Sequence, residues 1–139
     1  MRRSPAQGPA NGDDGSMVAV ERGSVEDFFH DVPLGRRVYD ELVRLVDGHG
    51  PATARVTESQ VAFRRRGGFC WVWLPPMYLS HPGADVVVSF ALDRPDPSPR
   101  WKQTVHVGGH WMHHLEVHGV AEIDAEVAAW LAEAYASAG

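Results

Sequence analysis

The sequence predicts one small α+β domain, with two N-terminal helices, a mostly antiparallel sheet of five to six strands, and a C-terminal helix packed on one face of that sheet. Three observations carry this. The chain has 139 residues with 44% hydrophobic content, enough for one core and not for two. Apolar residues recur at helical spacing near residues 34–46 and 123–134. Between those stretches the pattern switches to period two, punctuated by Gly and Pro.

Residues 1–23, MRRSPAQGPANGDDGSMVAVERG, are rich in Gly, Pro, Asn and Asp, and are expected to form a disordered tail before a single domain at 24–139. Met17 is an alternative start to Met1. Ser24 followed by Asp27 resembles a capping box with Asp in place of Glu, and opens a short helix through Phe28 and Phe29. Pro33 suits the first turn of a longer helix carrying Leu34, Val38, Leu42, Leu45 and Val46, and Gly48 or Gly50 ends it. Strands are expected at 53–57, 60–66, 69–75, 86–92, 102–107 and 111–118. Ile123, Val127, Trp130, Leu131 and Ala134 form the stripe of the closing helix.

Composition excludes several classes of function. The formal net charge is −5, and residues 1–23 contribute three charges of each sign, so the domain carries the whole excess. Such a surface disfavours wrapping duplex DNA by charge. Cys70 is the one cysteine, which precludes an intrachain disulfide and fits a reducing compartment, with the cytoplasm as the expected location. No apolar run reaches the roughly 18 residues that span a bilayer, and no apolar segment follows Arg2 and Arg3 as a secretion signal requires. No membrane partner is expected.

The stretch VAFRRRGGFCWVWL, residues 61–74, predicts a hairpin turning at Gly67-Gly68 through positive-φ residues. That turn would pair Arg66 with Phe69, Arg64 with Trp71 and Ala62 with Trp73. Val61, Phe63, Cys70, Val72 and Leu74 would then face the core, interrupted by Arg65. Arg64, Arg66, Trp71 and Trp73 would share the opposite face, with a cation–π pair between Arg64 and Trp71. This patch reads either as self-stabilisation, with Arg stems shielding the indoles, or as a recognition surface for flat anionic ligands.

Five of the eight histidines lie in HVGGHWMHHLEVH, residues 106–118. On a strand, His113 joins Trp111, Leu115 and Val117 on the core side, while His110, Met112, His114, Glu116 and His118 face outward. His110 and His114 would then be about 13 Å apart at Cα, which one metal ion can barely bridge. Neither HExxH nor paired CxxC is present, and no resident metal or cofactor is expected. His113 reads as a satisfied core histidine, and Cys70 as inert packing. Glu58, Ser59 and Gln60 read as ordinary loop residues, and no GxSxG, Walker-type or GxGxxG motif occurs. No catalytic residue is assigned. Trp101, between Arg100 and Lys102, is expected to pack where its strand begins.

The segments RVTESQVAFRRRGGFCWVWLP, DPSPRWKQTV, MHHLEV and IDAEVAAWLAEAYASA together resemble the bacterial family catalogued as domain of unknown function 5655, over about Ser24 to Ala138. The resemblance implies a compact α+β unit found alone or appended to other modules, including nuclease-like ones, and supplies no catalytic residue. A fainter likeness in element order to YdhG-like and MmcQ/YjbR-like domains suggests binding more than chemistry.

The leading expectation is a non-enzymatic module whose open sheet face binds an anionic ligand with a flat group, a nucleotide or a single-stranded nucleic-acid end. Arg64 and Arg66 would supply charge, Trp71 and Trp73 stacking planes, and His114 and His118 polar contacts. The alternatives are a small metal-dependent enzyme built on His114, Glu116 and His118, and a homodimer that buries the Arg–Trp face against its own copy.

Overall fold

A computed structural model describes residues 16–77, 79–80 and 82–139. Among the described residues seven strands form one sheet: β1 (Val18–Glu21), β2 (Ala52–Val56), β3 (Gln60–Arg64), β4 (Gly68–Trp73), β5 (Val86–Leu92), β6 (Gln103–Val107) and β7 (His110–Val117). They lie in the order β1-β2-β3-β4-β5-β7-β6, antiparallel throughout except for the parallel pair β1–β2. Among the described residues the α-helices are α1 (Val25–Phe28), α2 (Pro33–Asp47) and α3 (Ala125–Ser137). Among the described residues, no helix is long and apolar enough to cross a membrane.

The α+β class, the two N-terminal helices and the closing helix are as the sequence predicts. The strand count is not. The extra strand is β1, inside the stretch expected to be disordered. Val18 is buried there, and β1 runs parallel to β2 with Val18 beside Ala52 and Glu21 beside Arg55. The backbone N–H of Met17 donates to the Asp47 carboxylate at 2.8 Å, tying the strand's start to the end of α2. A four-residue strand leaves almost no periodic signal, and the polar residues around it mask that signal. Residues 1–15 of the expected tail, Met1 among them, lie outside the described residues.

Helix ends follow local chemistry. The Ser24 hydroxyl accepts the Asp27 N–H at 3.2 Å, capping α1. Pro33 opens α2 and Gly48 ends it. Asp124 caps α3 by accepting the Val127 N–H at 3.1 Å. Both long helices cover one face of the sheet. Tyr39 of α2 stacks on Phe63 of β3, and Phe69 meets Tyr135 of α3 edge-on. Val61, Cys70, Val72, Val88, Phe90 and Leu115 fill the layer between.

One end of this core is closed by the segment 93–101. Arg94 grips Glu133 through two hydrogen bonds of 2.8 Å, and Arg100 holds Asp124 and Glu126 while lying over the Trp130 ring. Trp101 lies 4.1 Å from Trp130 between ring centroids and donates its indole N–H to Asp96, so it packs where β6 begins, as expected. His113 is fully buried beneath this strap. Its Nε2 accepts the Asp96 N–H at 2.9 Å and its Nδ1 faces the Trp111 carbonyl at 2.9 Å, which is the satisfied core histidine the alternation predicts. Nothing comparable covers the other face of the sheet among the described residues.

Candidate functional site

The hairpin between β3 and β4 decides what stands on the open face. Its register differs from expectation: Ala62 pairs with Trp71, Gln60 with Trp73 and Arg64 with Gly68, with an irregularity between Phe63 and Arg64. The connection runs through Arg65, Arg66 and Gly67, and among the described residues the positive-φ glycines are Gly23, Gly50 and Gly108. Tertiary bonds explain the change. The N–H groups of Arg66 and Gly67 both donate to the Ala138 carbonyl at 3.1 Å, and the Arg65 guanidinium donates to the Tyr135 carbonyl. The turn is therefore shaped to cap the C-terminal end of α3, whose last carbonyls lack helical partners. The two-residue glycine hairpin is found instead at Gly108-Gly109, between Val107 and His110.

From Gln60 to Phe63 the pairing slips by two residues, and an even slip leaves the side chains on their expected faces; the irregularity beyond Phe63 makes Phe69 the exception. Trp71, Trp73, Ala62 and Arg64 are on the open side, as the alternation predicts. Phe69 is corrected: it is fully buried against Phe63 and Tyr135, not paired with Arg66. The expected cation–π contact between Arg64 and Trp71 is also corrected. Among the described residues, such contacts involve Arg36, Arg65 and Arg100, all on the helix side. Trp71 leans toward the turn instead, so that a Cβ added to Gly68 would sit 2.7 Å from Cζ2 of its indole. Gly68 thus serves as a shelf for Trp71, beside Arg64.

A row across the sheet runs Ala62–Trp71–Ser89–His114–Gln103. Along it lies a shallow concavity of about 380 Å³, with Trp71, Trp73 and Met112 as apolar walls and Gln60, Ser89 and His114 as polar ones. The Trp73 indole N–H donates to Ser89 Oγ at 3.3 Å, and that oxygen lies 2.6 Å from His114 Nδ1. Trp73 and His114 meet edge-on, at 6.4 Å and 83°. Burial lowers the pKa of His114, and its neighbour His113 adds to the effect, which favours the neutral imidazole.

Of the six residues singled out in the sequence, the structure brings Trp71, Trp73 and His114 together. Arg64 flanks them on the same face and its side chain makes no hydrogen bond or ion pair among the described residues, whereas Arg55 is paired with Glu21 and Lys102 with Glu116. Arg66 lies in the turn at the end of α3, exposed and apart from the concavity. His118 is exposed past the end of β7, where its backbone N–H donates to Glu122. Gln60, Ser89 and Met112 line the site without being marked for it by the sequence. Ser89 carries a usable signal, since it is the lone hydroxyl in the otherwise apolar run VVVSFAL. Gln60 reads as a loop residue, but it is the first residue of β3, opposite Trp73.

The metal-enzyme alternative asks His114, Glu116 and His118 to converge. In the structure His114 Nδ1 is engaged by Ser89, Glu116 by Lys102, and His118 is beyond the strand. Among the described residues, no three His, Cys, Asp or Glu side chains form a set able to hold a metal ion. Cys70 is fully buried, and burial pushes its thiol pKa up, which suits packing and not reactivity.

Comparison with curated proteins and with solved structures gives no match. A family model does match, over residues 25–138, and these span α1 to the end of α3 and the whole open face from β2 to β7. The chain belongs to that family, Domain of unknown function (DUF5655).

Proposed function

We propose that this domain is a small binding module whose open sheet face takes a flat, base-bearing anionic ligand, either a free nucleotide or the end of a single strand. The observation that carries the reading is the concavity itself. Two indoles and a methionine give it apolar walls, and Gln60 and His114 supply polar groups beside them. Arg64 adds an uncommitted cation at one side. Base–aromatic stacking contributes about 1–3 kcal/mol per base, and a guanidinium adds a charge-assisted contact to phosphate. The acidic balance elsewhere, −5 overall, disfavours duplexes.

The test is tryptophan quenching titrated with mononucleotides, short single strands and a duplex at two salt concentrations. Saturable, salt-sensitive quenching by nucleotides or single strands is expected, with little response to duplex. Trp71→Ala should weaken binding without unfolding the domain, and Arg64→Glu should weaken it further at low salt. Absence of quenching by every probe, with a solution dimer that buries Trp71, overturns the reading and leaves self-association in its place.

A further inference from the structure

The three groups Trp73, Ser89 and His114 form a chain with a single direction. An indole N–H donates and cannot accept, so Ser89 Oγ is the acceptor at its 3.3 Å contact with Trp73. Ser89 is buried, and among the described residues its hydroxyl has one further partner, His114 Nδ1 at 2.6 Å. A buried hydroxyl proton left without an acceptor is costly. The hydroxyl therefore donates to Nδ1, and an imidazole that accepts at Nδ1 in its neutral form carries its proton on Nε2. Burial of the ring favours that neutral form. His114 is half-buried in the wall of the concavity, and Nε2 has no hydrogen-bond partner among the described residues.

We infer that the Trp73–Ser89–His114 relay fixes His114 as the Nε2–H tautomer, and that this N–H is the element by which the open face selects its ligand: a planar ring bearing a carbonyl or ring-nitrogen acceptor at its edge, in preference to a plain aromatic ring. This inference rests on the binding reading above and narrows its ligand class. The division of labour is simple. Trp71, Trp73 and Met112 accept any flat ring of the right size, because every such ring has an apolar face. A directional donor beside them then separates rings that can accept from rings that cannot. Ser89 touches no ligand in this scheme. It is a positioning residue, acting through the imidazole.

Two measurements on the full chain test the inference separately from the binding reading. The first needs no ligand: long-range proton–nitrogen NMR correlations at pH 8 report which ring nitrogen of His114 carries the proton, the signals being assigned by their loss in His114→Phe. Near-complete Nε2–H is expected in the wild type, and a mixture of tautomers in Ser89→Ala. An Nδ1–H tautomer in the wild type, or a population unchanged in Ser89→Ala, overturns the relay. The second uses two rings of similar shape, N-methyl-2-pyridone, which has a carbonyl acceptor, and toluene, which has none. His114→Phe keeps a flat ring in the wall and removes the donor. It should weaken N-methyl-2-pyridone by about fivefold, the worth of one ordinary hydrogen bond, and leave toluene within about twofold. Equal effects on both rings overturn the selection claim while leaving the binding reading intact. Failure of both rings to perturb the Trp71 and Trp73 resonances overturns the binding reading, and the tautomer measurement still judges the relay.

Discussion

Arg65 holds Tyr135 twice: its Nη1 donates to the Tyr135 carbonyl at 2.7 Å, and its guanidinium carbon lies 4.1 Å from the centroid of the same residue's ring. One side chain thus caps the end of α3 and covers an aromatic ring that packs on Phe69. Its neighbour Arg66 contributes a backbone N–H alone to the same helix end. The two arginines should therefore respond differently to truncation. Arg65→Ala should destabilise by about 1–2 kcal/mol, because it removes a charge-assisted hydrogen bond and a cation–π interaction at once. Arg66→Ala should stay within about 0.5 kcal/mol, as surface changes do. Urea unfolding of both variants decides the matter, and equal effects would mean that the turn is not held through Arg65.

The hairpin also predicts a contrast between faces. Phe63 and Val72 are fully buried on the helix side, while Arg64 is half-buried on the open side without an ion pair among the described residues. Phe63→Ala and Val72→Ala should destabilise by about 2–4 kcal/mol, and Arg64→Ala by less than about 1 kcal/mol. A larger loss at Arg64 than at Val72 would show that its stem supports the indoles.

These contrasts mark where the sequence was legible. Alternation reports parity, so apart from Phe69 beside the irregular pairing the faces of β3, β4 and β7 follow from residue spacing, including the burial of His113 and the openness of Trp71, Trp73 and His114. Register was not legible, because Gly67-Gly68 advertises a local turn that the end of α3 overrides. Nothing near Arg65 in the sequence points to a partner 70 residues away. The candidate site was half legible for the same reason. Its indoles and imidazole lie on strands that alternation identifies, whereas Ser89 joins them only once β5 is known to lie between β4 and β7. Arg66 and His118 have the right parity in an ideal hairpin and strand, but lie where those elements have ended.

Strand β1 makes a further prediction about the N-terminus. Val18 is buried, and Val20 packs at the edge of the same core. Removing the chain through Glu21 uncovers Ala52 and Ala54 as well as deleting Val18, whose burial alone is worth about 1.5–3 kcal/mol. Such a truncation should lower the unfolding free energy by at least about that much. A truncation beginning at Met17 keeps the whole strand, and the two should differ clearly in thermal unfolding. Equal melting temperatures would mean that β1 adds nothing to stability.

The last prediction concerns acid. Burial lowers the pKa of His113 from its ordinary 6.5, with the hydrogen bond to the Trp111 carbonyl and the Asp96 charge opposing. Burial lowers His114 from the same value, and His113 lowers it further. Both folded-state values therefore lie below the unfolded one. Below about pH 7 the unfolded chain takes up protons at these two rings that the native state refuses, so acid favours unfolding. The stability is complete above the unfolded value. It falls as pH drops through 6.5 and stops falling once both native rings are charged. The decline in this window comes from the protons that the unfolded chain binds at these two rings and the native state does not. Asp96 acts lower on the scale. Burial raises its pKa, but hydrogen bonds from Trp101, Ser98 and Arg94 outweigh that and hold it below its usual 3.8, so its contribution disappears only in stronger acid. Unfolding free energies measured in urea from pH 8 to pH 3 should thus show two separate declines. His114→Phe should flatten part of the upper one and leave the lower unchanged. A profile level between pH 7 and pH 5 would mean that the native state accommodates charged imidazoles at both positions as readily as the unfolded chain does.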